Sequence, residues 1–340
     1  MRRVLIVRLD AIGDYILWRN CLRFLRGSAK YRDAHITVLG NPAWRNIAET
    51  FDSDCANEWI WVENRKALFR KPIENLLPYG IWHRRVAREQ AKLKERLKAR
   101  GFDEVLSPCA YPDPLLDELV SGIAPETIAV ENEDSSRAAA FSKLVGAGNE
   151  EFVFLKNRAV AANMAGEPCD VGFTLDLPVS PEKERRILFF TGASHWTKRW
   201  PKRNWRALSR MLPAGYKAAF APMHGILADF TRLVASCAAV VTNDTMALHL
   251  AAALDVPAVA LVNGATGRGG FWPYPQLLGK RVTVVGASCD STSKSSASHG
   301  NSALSLASAQ LAMWRNLAAV TPEMALAALA PFLNQDRPSC

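Results

Sequence analysis

Short apolar runs alternate with stretches of helical spacing along most of the chain. Val4-Leu5-Ile6-Val7 reads as a buried strand. After a polar turn, Tyr15 to Arg26 places Ile16, Leu17, Cys21, Leu22 and Leu25 on one helical face. Strand-like pieces recur at His35–Leu39, Trp59–Val62, Glu104–Leu106 and Thr127–Val130. Between them, residues 86–99 predict a charged surface helix packed through Val86, Leu93 and Leu97. The chain turns polar over 179–186, which suits a linker, and the alternation then restarts. Strands are predicted at Ile187–Phe190, Ala218–Phe220, Ala239–Val241 and Pro257–Val262. Helices are predicted at Asn204–Leu212, Leu227–Cys237 and Met246–Leu254. Strands alternating with helices predict an α/β protein with mainly parallel, doubly wound sheets, and two such halves predict two Rossmann-like domains. A serine-rich stretch over 287–310 breaks the pattern and reads as a mobile loop. Thr321 and Pro322 then open a final helix, Met324 to Leu333.

Composition narrows the class. The chain has 340 residues, 49% hydrophobic and 22% charged, which are ordinary globular values for roughly two domains. No apolar run is long enough to span a membrane as a helix. The first residues lack the apolar core of a signal peptide, so a cytoplasmic location is expected. Seven scattered cysteines (21, 55, 109, 169, 237, 289 and 340) form no C-x-x-C pair, so neither a zinc site nor a disulfide framework is expected. The 42 basic against 33 acidic residues give a net charge of +9, which favours an anionic partner without choosing which.

Three strand-to-helix turns carry candidate chemistry. Gly13-Asp14 ends the first. A carboxylate there serves as a general base, or it merely caps its helix. The second is the loop 192–201, with Ser194, Thr197, Lys198 and Arg199. Small residues, hydroxyls and cations suit a phosphate cradle, and Lys198 would neutralise a leaving phosphate. The alternative is a basic surface loop pinned by Trp196 and Trp200. The third is Thr242-Asn243-Asp244-Thr245-Met246, running into a helix that bears His249. Asp244 or Thr245 would cap that helix, and His249 lies one turn after Thr245.

Together and in this order, the segments VLIVRLDAIGDYIL, GASHWTKRWPKRNW, VVTNDTMALHLAAALDVPAVAL and NLAAVTPEMALAAL resemble glycosyltransferase family 9, the ADP-heptose:lipopolysaccharide heptosyltransferases. The resemblance implies a GT-B fold, two Rossmann-like domains facing a central cleft. These would be residues 1–178 on the acceptor side and 179–318 binding the nucleotide sugar, with a terminal helix in 319–340 returning to the N-terminal domain. It implies inverting transfer without a metal or other cofactor, from a nucleotide-activated heptose, ADP-linked by resemblance, to a bacterial lipopolysaccharide core or similar glycan. Asp14 matches the catalytic base, and Lys198 the lysine at the donor phosphates. Gly13, Ser194, Thr197, Asp244, Thr245, Met246 and His249 fall in the donor-binding segments. Family acceptors are anionic, so Arg65, Lys66 and Arg70 are the candidate acceptor cations. The implied location is cytoplasmic, with the inner face of the cytoplasmic membrane as a refinement. Two departures stand out. Met246 occupies a position that is usually glycine, and a strand–helix segment usually present before residue 227 has no clear counterpart.

Three alternatives are weighed beside this one. The first is a transferase with another donor or a protein acceptor. The second is a degenerate member that binds without turnover. The third is a nucleic-acid binder, which the chain disfavours because it has no zinc finger, aromatic RNA-binding strand or concentrated basic helix.

Overall fold

The structure, a computed structural model, describes residues 1–63, 79–109, 114–131, 136–150, 152–221, 225–263, 274–286 and 303–334. The chain forms two compact units, Met1–Gly172 and Phe173–Cys340. The stretch expected to be a linker ends in a strand that begins at Glu184.

The first unit holds β1 (Arg3–Arg8), β2 (His35–Gly40), β3 (Glu58–Trp61), β4 (Glu104–Ser107), β5 (Glu126–Val130) and β6 (Lys143–Val145). They form one sheet in the order β3-β2-β1-β4-β5-β6, and every neighbouring pair is parallel. Such a sheet is covered on both faces, so its central strands are apolar throughout rather than alternating. Val4 to Val7 are at most 1% exposed.

The second unit holds β7 (Glu184–Phe190), β8 (Lys217–Phe220), β9 (Cys237–Asn243), β10 (Ala258–Val262) and β11 (Val282–Gly286). The order is β11-β10-β9-β7-β8, again parallel. The two sheets share one winding with one difference. In the first, β1 is flanked outward by β2 and β3; in the second, β7 is flanked outward by β8 alone. Among the described residues no strand pairs with the outer side of β8, in keeping with the strand–helix segment that has no clear counterpart before residue 227.

The order of strands reverses between β1 and β4 and between β7 and β9. Ligands of open α/β sheets bind outside the carboxyl ends of the strands at such a switch point. The Gly13-Asp14 turn follows β1, the 191–201 loop follows β7 and the 244–246 turn follows β9.

One expectation changes towards the end of the chain. Helix Pro322–Asn334 packs on the sheet of the second unit. Ala325, Leu329 and Leu333 are buried in one cluster with Ile187, Val241, Val259 and Leu261, and that apolar contact fixes the helix in place. The serine-rich stretch is helical from Ala303 onward, within Ala303–Ala318; residues 287–302 lie outside the described residues.

The first unit is tied internally by a buried charge. Asp52, fully buried, accepts from Arg19 Nη2 at 2.6 Å, Arg19 Nε at 3.0 Å and Tyr15 Oη at 2.7 Å. Tyr15 stacks on Trp44 with ring centroids 4.1 Å apart. Burial first, and then the Asp52 charge, push the Tyr15 phenol well above its usual range, so it stays protonated and donates. Removing one member of a buried pair strands the other, at a cost of about 3–5 kcal/mol. Arg19→Met is therefore expected to lower the free energy of unfolding, read from the urea midpoint and slope, by about 3–5 kcal/mol. A midpoint equal to the wild type's would show that Asp52 finds another partner.

Candidate functional site

The site in the second unit begins with Asn243, the last residue of β9 and fully buried. Its Oδ1 accepts from the backbone N–H of Trp200 at 3.0 Å. Its Nδ2 donates to the carbonyls of Thr191 at 2.9 Å and Gly192 at 3.3 Å. One side chain thus holds both ends of the loop that follows β7. Asn263, at the end of β10, donates to the carbonyl of Thr197 at 3.2 Å and holds its middle. Inside the loop, Trp196–Lys198 forms a turn of 3-10 helix. Arg199 donates to the carbonyl of Ala193 at 3.0 Å, and His195 Nδ1 lies 2.8 Å from Thr197 Oγ1.

This frame sets Lys198 against Asp244. Their Nζ and Oδ2 atoms are 2.6 Å apart, with side chains 28% and 12% exposed. Next to Asp244, Thr245 is the N-cap of helix Met246–Ala253, and its Oγ1 accepts from Ala247 N–H at 3.4 Å. Thr242 Oγ1 lies 3.0 Å from Thr245 Oγ1 and steadies the cap. The first N–H groups of this helix have no intrahelical acceptor and carry the positive end of its dipole. A lysine, a capped helix start and a loop backbone converge here, and that arrangement receives an anion such as a phosphate.

Met246 takes the first helical position with an ordinary backbone. Among the described non-glycine residues only Asp255 has a left-handed φ, 53°. The turn therefore does not require the glycine that usually stands at Met246. His249 is buried, and its Nδ1 lies 2.6 Å from Tyr274 Oη. Burial, and then the Asp244 charge, push the Tyr274 phenol well above its usual range.

The structure thus brings Thr197, Lys198, Asp244, Thr245, Met246 and His249 into one neighbourhood. Ser194 sits in the same loop, exposed, with no hydrogen bond among the described residues. Of Asn243, Asn263 and Tyr274, the sequence placed only Asn243 in a candidate turn, and gave it no role. Two of them lie just beyond apolar strands, the position where a ligand-side polar residue is expected.

In the first unit, Gly13 and Asp14 lie in the short helix Ile12–Ile16 that follows β1. Gly13 accepts from Leu17 N–H at 3.1 Å. Asp14 Oδ2 accepts from Ala11 N–H at 3.1 Å, so the helix-capping role is real. The carboxylate is only half-buried and its Oδ1 has no partner among the described residues. Beside it, Arg8 is 2% exposed, pairs with Asp10 at 2.6 Å, donates to the carbonyl of Pro108 at 2.8 Å and lies over the Trp18 ring. Burial alone would lower its pKa; Asp10, Cys109 and Asp14 outweigh that and raise it, so it stays cationic. Arg65, Lys66 and Arg70 lie outside the described residues. Among the described residues, no group of three or more His, Cys, Asp or Glu side chains is arranged to hold a metal ion.

The model of glycosyltransferase family 9 (heptosyltransferase) matches residues 223–304, the span that holds Asp244, Thr245, Met246 and His249. The whole chain is similar in structure to E. coli heptosyltransferase WaaC, solved with ADP-2-deoxy-2-fluoro heptose. The identity is 17% and the TM-score 0.67, over 98% of this chain and 100% of that one. It is similar to E. coli ADP-heptose lps heptosyltransferase II, at 20% identity and TM-score 0.64, over 99% of both chains. A family 9 glycosyl transferase from Veillonella parvula matches at 16% identity and TM-score 0.66, over 98% of both. No curated protein matches the sequence significantly. The chain thus has the GT-B architecture of two Rossmann-like domains, and the resemblance to family 9 is borne out.

Asn243→Ala removes a buried group that satisfies three backbone atoms and leaves them without partners. Unsatisfied buried groups cost about 1–3 kcal/mol each. The variant is expected to be destabilised by at least that amount, with faster amide exchange at Trp200. Wild-type exchange at Trp200 would mean that the loop is held by other contacts.

Proposed function

We propose that this chain, a family-9-like glycosyltransferase, transfers a heptose from ADP-heptose to an anionic glycan of the lipopolysaccharide-core kind. The observation that carries the reading is the Lys198–Asp244 pair at the capped start of helix Met246–Ala253, inside the span that matches the family model. Relatives of the same fold are solved with ADP and an ADP-linked heptose analogue, which supports an ADP-linked donor.

The chemistry is a single displacement with inversion. The acceptor hydroxyl oxygen attacks the anomeric carbon, and Asp14 accepts its proton. The bond from that carbon to the diphosphate oxygen breaks, and the nucleoside diphosphate leaves with the electron pair. Negative charge grows on the departing phosphate, where Lys198 and the free N–H groups of the helix start meet it. Asp244 Oδ2 is the partner of Lys198 Nζ. Diphosphate binding exchanges this carboxylate for phosphate oxygens as the partner of Nζ. Thr197, Ser194 and Thr245 supply hydroxyls and backbone around the same phosphates, with Gly13, Met246 and His249 completing the donor-side set. Arg65, Lys66 and Arg70 are the proposed acceptor cations. The net charge of +9 suits an anionic acceptor, and the proposed place of action is the cytoplasmic face of the membrane that carries it.

Calorimetric titration is expected to show ADP binding in preference to UDP, GDP and CMP. Preference for another nucleotide would redirect the donor assignment, and binding without turnover would identify a binding protein. Asp14→Asn is expected to cut transfer by about 10²–10⁴-fold, the usual worth of a general base, with ADP affinity kept. Retained turnover would remove Asp14 from that role. Lys198→Ala is expected to weaken ADP binding and turnover together, and unchanged values for both would place the diphosphate elsewhere.

A further inference from the structure

Two free cysteines meet close to where the chain leaves the first unit. Cys21 lies in helix Arg19–Gly27 and is fully buried. Cys169 follows helix Val153–Ala165 and is 5% exposed. They are far apart in sequence, yet the Cys21 thiol donates a hydrogen bond to the Cys169 sulfur. The surrounding contacts hold them in place. The two helices pack on each other, and Asn157 Nδ2 donates to the carbonyl of Leu17 at 3.0 Å, just before the first of them. Gly166, with a left-handed φ of 77°, ends the second helix and turns the chain. The segment after it is clipped twice. Glu167 Oε1 accepts from Ala29 N–H at 3.3 Å, and the carbonyl of Cys169 accepts from Arg158 Nε at 2.8 Å. Arg158 also pairs with Asp170 at 2.6 Å.

The two sulfurs are not equivalent. The hydrogen bond from Cys21, then the Val171 N–H and the Arg158 charge, outweigh burial and lower the pKa of the Cys169 thiol. The same hydrogen bond, then burial, push the Cys21 thiol well above its usual range. Cys169 therefore yields the thiolate, and Cys21 keeps its proton. Access differs in the same sense. Cys169 lies in irregular chain beside the exposed residues Pro168 and Asp170, whereas Cys21 is enclosed in a helix interface. An acidified thiol near a cation and close to solvent, with a second thiol in contact, is the arrangement of an oxidisable pair. Burial pushes Cys55 up to about 12 and Cys237 up to about 11, which leaves those two as unreactive thiols.

We propose that Cys21 and Cys169 are a redox modification site, in which a peroxide converts the touching thiols to a disulfide. The Cys169 thiolate attacks one peroxide oxygen. The O–O bond breaks, hydroxide leaves and takes a proton, and Cys169 becomes a sulfenic acid. The Cys21 sulfur then attacks the Cys169 sulfur. The S–O bond breaks, and the departing hydroxide takes the Cys21 proton and leaves as water. In sum two thiols are oxidised, one hydrogen peroxide is reduced, and two waters form. The ring so closed takes in β2 to β6, and such a cross-link stabilises by restricting the unfolded chain. It also fastens the segment just before Gly172, the last residue of the first unit, to the helix that carries Arg19. The proposal does not rest on the sugar-transfer reading.

The test maps the bond in the full chain. Reduced protein is treated with hydrogen peroxide, once folded and once in urea, then alkylated, digested without reductant and examined by mass spectrometry. The folded sample is expected to yield a peptide pair joined through Cys21 and Cys169 that dithiothreitol separates. Its thermal midpoint is expected to rise by about 5–15 °C and to fall back on reduction. Cys21→Ala removes the second thiol, so the sulfenic acid on Cys169 persists and dimedone labels it. In Cys169→Ala, Cys21 stays unlabelled. Alkylation of both cysteines after peroxide treatment of the folded protein overturns the site, and so does a cross-link that forms only in urea. Dimedone on Cys21 in Cys169→Ala, with none on Cys169 in Cys21→Ala, overturns the assignment of the attacking thiol. The wild-type mapping needs no substitution and decides the matter even where a variant fails to fold.

Discussion

The second unit depends on the buried amide of Asn243. A loop that follows a buried strand has no regular ladder to satisfy its backbone, and groups left unpaired in the interior are costly. Asn243 supplies one acceptor and two donors from the neighbouring strand and so closes the loop at both ends. Lys198 owes its place to that closure. So does the indole of Trp200, whose Nε1 donates to the carbonyl of Val320 at 2.8 Å and ties the loop to the start of the terminal helix. Sheet, loop and helix are thus joined through one residue that bears no charge and need not touch a substrate.

Most of the architecture was legible because parallel strands covered on both faces must be apolar along their length. Val4–Val7 and Ala258–Val262 are such runs and were read to within a residue or so of their bounds. The strand Lys143–Val145 was missed because it is a short edge strand with half its surface in solvent. Helix Val153–Ala165 was missed because a polar residue, Asn157, stands in the middle of its buried stripe of Val153, Val160, Ala161 and Met164 and obscures the helical period. The terminal helix was legible because Thr321 and Pro322 mark its start, and Ala325, Leu329 and Leu333 form its buried stripe.

The site divides in the same way. Lys198, Asp244 and Thr245 stand at strand-to-helix turns, where local spacing exposes them to inspection. Tyr274 lies 25 residues from His249 and meets it only through folding. Arg8 is a charge inside an apolar run, which reads as the end of a strand, yet it is buried and held by Asp10, the Pro108 carbonyl and the Trp18 ring. Asp14 shows how one carboxylate answers two demands. Its Oδ2 satisfies a helix start and its Oδ1 remains available.

The uncovered edge of β8 also bears on solubility. An open strand edge is a template on which another chain can pair, and apolar residues such as Ala218, Ala219 and Phe220 favour that event. Two features oppose it. The strand is only four residues long, and Lys217 at its start brings like charges together when two copies approach edge to edge. The next residue but one after Phe220 is Pro222, which has no N–H to extend a ladder. Salt screens the lysine but leaves the proline and the short length in force. Self-pairing through this edge is therefore a hazard that rises with ionic strength, and brevity and proline set its ceiling.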